Sequence, residues 1–110
     1  MKIDNKKLQK KLWKNVQIAK ETVPVYTVNG DHIRASYVKF TLGGHNLATA
    51  HKFIPKGEIW IEQILKGKDK EAILVHETHE YNLMKNKNLS YVHAHKLANQ
   101  KEQRFRKANL

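Results

Sequence analysis

In the stretch Asp69-Lys70-Glu71-Ala72-Ile73-Leu74-Val75-His76-Glu77-Thr78-His79-Glu80-Tyr81-Asn82-Leu83-Met84-Lys85-Asn86, apolar residues recur at helical spacing, with His76, Glu77, His79 and Glu80 set among them. The spacing predicts a helix over 69–86, with Asp69 as its N-cap and an acidic first turn that complements the helix dipole. At about 100° per residue, Lys85, Thr78 and Asn82 fall on one side, toward solvent. Ala72, Leu83, His76, Glu80, Ile73, Met84 and Glu77 follow one another on another side. His76 and Glu80 therefore lie within an apolar stripe, one turn apart on one face, and their side chains can converge. Burying an unpaired carboxylate costs several kcal/mol, so Glu80 requires compensation. A buried His-Glu hydrogen bond supplies it, and so does a metal ion shared with His76.

Downstream, Ser90 caps a last helix over 90–107, with Tyr91, Ala94, Ala98 and Phe105 as its apolar stripe. His95 and Glu102 fall beside that stripe, whereas His93 falls among Lys96, Gln100 and Arg104 and faces solvent. Upstream, Glu58-Ile59-Trp60-Ile61-Glu62 alternates as a half-buried strand does. Segments 23–28 and 32–40 are rich in β-branched and aromatic residues and flank Asn29-Gly30, a pair favoured in tight hairpin turns. Residues 41–51 read as a loop, and Pro55-Lys56-Gly57 as a turn. Leu8, Leu12, Val16 and Ala19 predict a basic amphipathic helix over 4–20, behind Asp4 or Asn5. The expected fold is α+β: an N-terminal helix, a small, mostly antiparallel three-stranded sheet with a hairpin, and two C-terminal helices.

At 110 residues the chain has the length of one domain, 1–110, without repeats or linkers. Hydrophobic residues make up 40%, charged residues 28%, and mean hydropathy is -0.70, which disfavours both disorder and membrane insertion. No apolar run suits a spanning helix or a secretory signal, so a cytoplasmic location is expected. The absence of cysteine excludes disulfides, thiolate zinc clusters and a cysteine nucleophile. The net charge of +11 is concentrated at the ends. Segment 1–20 holds seven lysines against Asp4, and segment 81–110 holds seven basic residues against Glu102, each net +6; segment 61–80 is net -2. The basic ends suit nucleic acid or an acidic protein, or serve solubility alone.

His76, Glu80 and His95 together form a His2Glu set, one of the arrangements used by catalytic zinc. Glu77 borders the same stripe and can act as general base toward water acidified by the metal. Glu102 and His79 are further candidates to ligate or to orient the ligands, and His79 could equally serve packing.

The chain resembles the zincin metallopeptidases, with His76-Glu77-Thr78-His79-Glu80 as a His-Glu-x-x-Glu variant of their His-Glu-x-x-His helix and Ala94-His95 on the next helix. More specifically, it is similar to short zincin-related proteins encoded by phages and mobile elements. That similarity covers about residues 25–105 and rests on the order of motifs: Val25-Tyr26, Asn29-Gly30, Gly43-Gly44-His45, Phe53-Ile54-Pro55 with Glu58-Ile59-Trp60-Ile61, His76-Glu77 with Glu80, and Tyr91 with Ala94-His95. The resemblance implies that His45 lies near the site, presented by a Gly-Gly turn that lets the backbone approach closely. It also implies that strand 58–62, if it is an edge, pairs with an extended peptide, with Glu58, Trp60 and Glu62 as substrate-strand candidates. The same strand could equally be interior, with Trp60 packed on the first helix.

The leading expectation is a minimal zinc-dependent metallopeptidase acting on a peptide or protein. A non-catalytic module with a structural His/Glu cluster, binding nucleic acid or an acidic protein through its basic ends, is the alternative. A metal-dependent nuclease is disfavoured because the cluster is rich in imidazole rather than in the carboxylates that suit magnesium.

Overall fold

The computed structural model describes residues 3–37 and 39–110. In chain order it holds α1 (Asn5–Leu8), β1 (Lys11–Ile18), β2 (Glu21–Val28), α2 (Gly30–Arg34), β3 (Gly43–His45), a 3-10 turn (Thr49–His51), β4 (Ile59–Glu62), α3 (Gly67–Asn86) and α4 (Tyr91–Ala108). The fold is α+β. Its four-stranded sheet runs β1-β2-β4-β3, antiparallel except for the parallel pair β2 and β4. The sheet is thus mixed and one strand wider than expected.

The N-terminal helix is far shorter than its periodicity predicts. Asp4 does cap it, its carboxylate accepting from the Lys6 and Lys7 N–H groups, but Gln9 turns left-handed at φ 53 and ends it. The following residues enter β1, where Val16 pairs with Val23 and Ile18 with Glu21. Val16 and Ile18 gain burial against the sheet core there, whereas Leu12, a member of the supposed helical stripe, stays 49% exposed. Burial with a partner strand outweighs the weak preference of the isolated segment.

The hairpin is also displaced. Its turn is Ala19-Lys20, with Ala19 at φ 53, and it joins β1 to β2. Asn29 instead caps α2, its side chain accepting from the His32 N–H at 3.4 Å, and residues 32–40 form no strand among those described. An Asx side chain serves a helix N-cap and a tight turn by the same local hydrogen bond, so the dipeptide alone does not choose between them.

Alternation along β2 and β4 builds two apolar layers. Val23, Val25, Ile59 and Ile61 meet Ile73, Leu74 and Tyr81 of α3 on one face; Val28 and Trp60 meet Leu8, Ile33, Phe40 and Ile54 on the other. All four residues of β4 are consequently buried, not just one face. With β2 and β3 on either side, β4 has no free edge to offer a peptide. Trp60 packs against Leu8 and donates its indole N–H to Glu58 at 2.9 Å; Glu62 binds Arg34 at 3.1 Å. Glu58, Trp60 and Glu62 lie in or beside an interior strand, and the sheet's edges are β1 and β3.

Helix α3 begins two residues before Asp69, so Asp69 lies in its first turn and not at its cap. At the other end Asn88 adopts φ 56, and the Leu89 N–H returns to the Leu83 carbonyl at 3.1 Å, closing the helix in the manner of a left-handed C-cap. Ser90 caps α4 as expected, accepting from the His93 N–H. Fully buried Ala94 and Ala98 bring α4 close against α3. Among the described residues no helix is long and apolar enough to cross a membrane.

Candidate metal centre

Three elements converge on Glu80. His76 and Glu80 lie one helical turn apart on α3, and His76 Nε2 is 3.2 Å from Glu80 Oε2. From α4, His95 Nδ1 approaches the same oxygen at 2.8 Å. From β3, His45 Nε2 stands 2.9 Å from the other oxygen, Oε1. One ligand atom each from His76, Glu80 and His95 lies within 4.8 Å of the others, and the same holds for His45, Glu77 and Glu80. Either group has the spacing and donor types to hold a metal ion.

The glycines explain how β3 comes so close. A Cβ on Gly43 would stand 3.0 Å from Glu77 Cγ, and one on Gly44 would stand 2.7 Å from His51 Nδ1. Hydrogen at Gly43 lets the strand press onto α3, hydrogen at Gly44 makes room for His51, and His45 then sits fully buried behind the carboxylates.

Glu102 holds the His76 imidazole from behind, and Tyr91 packs on the ring of His95. Glu102 Oε1 is 3.1 Å from His76 Nδ1, leaving His76 Nε2 to face Glu80. Arg106 binds Glu102 at 2.9 Å and Asp69 at 2.8 Å, tying the far end of α4 to the start of α3. The Tyr91 ring stacks on His95, with its hydroxyl 3.3 Å from Nδ1. A carboxylate on the far nitrogen of a histidine is the arrangement that fixes tautomer and ring orientation at metal sites.

Electrostatics divides the two glutamates. Burial pushes the Glu77 carboxyl up to about 8, and the neighbouring Glu80 charge adds to this. Burial alone would raise Glu80 too, but contacts from His45, His76 and His95 outweigh it and hold this carboxyl well below the ordinary range. His76 shows the same contest: burial disfavours its charge, and Glu80, Glu77 and Glu102 raise it overall.

The fit to a metal rests on polar atoms that the protein leaves without partners. Both His45 ring nitrogens, His76 Nδ1 and Glu77 Oε1 are buried with no aligned hydrogen-bond partner among the described residues, despite short contacts to carboxylates. Such orphans cost about 1–3 kcal/mol each, and a cation would satisfy those that face the cluster.

A cavity of about 350 Å³ opens beside the cluster, and His76, Glu77, Glu80, His95, Gly43, Tyr91 and Asn99 contribute to its wall. Thus His76, Glu77, Glu80, His95, His45 and Glu102 are brought together. His79 belongs to neither ligand group; it is half-buried near Lys101 and Arg104, and burial together with those cations disfavours its charge. His93 is exposed, as its angle requires. Sequence reasoning missed His51, which lines the cavity and meets the Lys39 carbonyl at 3.3 Å, because nothing local links it to β3. It also read Tyr91 as core, although Tyr91 is 39% exposed; its four-residue spacing from His95 was the available signal.

In comparisons with known proteins, the chain matches no family model, no curated protein and no solved structure.

Proposed function

We propose that this chain is a zinc-dependent hydrolase of the metallopeptidase type. The observation that carries the reading is the convergence of His76 Nε2, Glu80 Oε2 and His95 Nδ1 at the wall of a cavity that Glu77 also lines. Two imidazoles and one carboxylate favour zinc over magnesium. When bound, zinc supplies Lewis acidity that polarises a substrate carbonyl and acidifies water.

The chain's own groups do the rest. Glu77 takes a proton from attacking water and returns it to the leaving amine, a role suited by a carboxyl whose affinity for protons burial has increased. Glu102 and Tyr91 hold His76 and His95 in place. Gly43 lines the cavity beside Glu77, where the terminal strand β3 meets α3.

Elemental mass spectrometry on untagged protein, with Glu77→Gln and His76→Ala beside it, tests the reading. At least one equivalent of zinc kept by Glu77→Gln, and one equivalent fewer than wild type in His76→Ala, are expected, with peptide hydrolysis absent from both variants. No zinc after purification and none after incubation would make the cluster a hydrogen-bonded structural network.

The second reading is a binding module for nucleic acid or an acidic protein. Its support is the exposed outer face of α4, where Lys96, Lys101, Arg104 and Lys107 stand free of the cluster. The N-terminal lysines support it less, because among the described residues Lys6 and Lys7 lie in the short α1 and Lys10, Lys11, Lys14 and Lys20 on or beside β1 instead of along one basic helix, with Lys10 bound to Glu58 at 2.7 Å.

A further inference from the structure

The Glu80 carboxylate has two faces, and the hydrolase reading uses one. Oε2 meets His76 and His95; Oε1 points the other way, 2.9 Å from His45 Nε2. His45 Nε2 is in turn 4.0 Å from Glu77 Oε1. One ligand atom each from His45, Glu77 and Glu80 fits within 4.8 Å, and all three residues are at least nine-tenths buried. Three features point to a ligand at this spot. Neither nitrogen of fully buried His45 has an aligned hydrogen-bond partner among the described residues. Glu77 Oε1, facing it, has none either. Two carboxylates stand side by side here with only imidazoles between them, an arrangement that a divalent cation neutralises and neutral histidines do not.

We propose that His45, Glu77 and Glu80 form a second divalent-metal site, deeper than the first and bridged to it by the Glu80 carboxylate. One imidazole and two carboxylates suit zinc or manganese. The cavity wall includes Glu77 and Glu80 but not His45, so an ion reaches this site past the first. An ion there takes Glu77 as a ligand and withdraws it from proton transfer, so excess metal inhibits. The inhibitory consequence rests on Glu77 being the base; the second site itself does not.

The test is a titration of metal-free protein with Zn2+, read as bound equivalents by elemental mass spectrometry after gel filtration. Wild type is expected to bind about two equivalents, and His45→Gln, Glu77→Gln and His95→Ala about one each. Two buried positions are varied because His45 packs edge-on against Tyr81, at 5.6 Å between ring centroids. Should His45→Gln fail to fold by circular dichroism, Glu77→Gln decides alone. One equivalent in wild type, unchanged in Glu77→Gln and lost from His95→Ala, overturns the second site and leaves the hydrolase reading intact. A second equivalent that survives both His45→Gln and Glu77→Gln is adventitious and overturns it as well. A count that His95→Ala leaves unchanged while Glu77→Gln lowers it sinks the first site instead and supports the deep one.

Discussion

Glu77 and Glu80 are three residues apart and buried alike, yet their environments push their proton affinities in opposite directions. Three imidazoles surround Glu80, whereas Glu77 has burial and a neighbouring carboxylate. In the metal-free protein the raised folded-state pKa of Glu77 contributes stability that is full below 4.5 and is lost as pH rises through about 8. Glu80 acts in the opposite sense: its stabilisation is present above 4.5 and disappears as pH falls through its depressed folded-state value. Metal-free wild type is therefore expected to lose thermal stability between pH 4.5 and 8 more steeply than Glu77→Gln does, and zinc should flatten the difference. Equal slopes in a pH series of melting curves would contradict the assignment. His95→Ala is expected to weaken zinc binding at least about tenfold, the scale seen even for residues that merely support ligands. His93→Ala, two positions away and exposed, should leave binding unchanged in the same titration.

At the level of elements, the site depends on how closely β3 approaches α3. His51, which a Cβ on Gly44 would strike, is hemmed in by Phe40 and Phe53, each 5.9 Å between ring centroids, so it cannot easily yield. Gly44→Ala is expected to cost about 1–3 kcal/mol, the usual range for overpacking, measured by urea unfolding. A neutral result would mean that the 3-10 turn carrying His51 moves freely. The Asn29 cap offers a contrast remote from the cluster. Asn29→Ala should cost about 1 kcal/mol while leaving zinc stoichiometry untouched, since α2 packs against the opposite face of the sheet. The two helices α3 and α4 were legible from their spacing, and α4 also from its Ser90 cap, because each is long enough to show its periodicity. The short pieces, α1, α2 and β3, were not. Four or five residues hold too little periodicity to choose a state, and their conformation follows from what covers them.

Across the whole molecule, charge and chemistry are separated. The His/Glu cluster sits in a cleft between β3, α3 and α4, while most of the described lysines and arginines lie on outer faces, Lys39 at the cavity wall and Arg106 on Glu102 being exceptions. Any binding of DNA through α4 is expected to be sequence-independent and to fall by orders of magnitude between about 50 and 200 mM salt. Turnover of an uncharged peptide at the cleft should change little over that range. Fluorescence anisotropy with a labelled duplex, run beside a peptide assay, separates the two; parallel salt dependence would tie the basic face to the cleft. The sheet also explains why strand 58–62 is not the edge expected of it. Parallel pairing with β2 gives β4 one strand neighbour, antiparallel pairing with β3 gives the other, and an apolar layer covers each face.

The sequence by itself determined the α+β class, the two C-terminal helices with the Ser90 cap of the second, and the inward direction of His76, Glu80 and His95. Those properties follow from a period of 3.6 residues and from local hydrogen bonds, both of which are written in neighbouring positions. The tertiary structure alone decided that 11–18 is a strand, that Asn29 starts a helix, and that His45 stands behind Glu80 facing Glu77. Those outcomes depend on pairing and burial between segments, from the neighbouring strand for 11–18 to the distant helix that places Glu80 beside His45, and no local pattern records which surface will cover a residue.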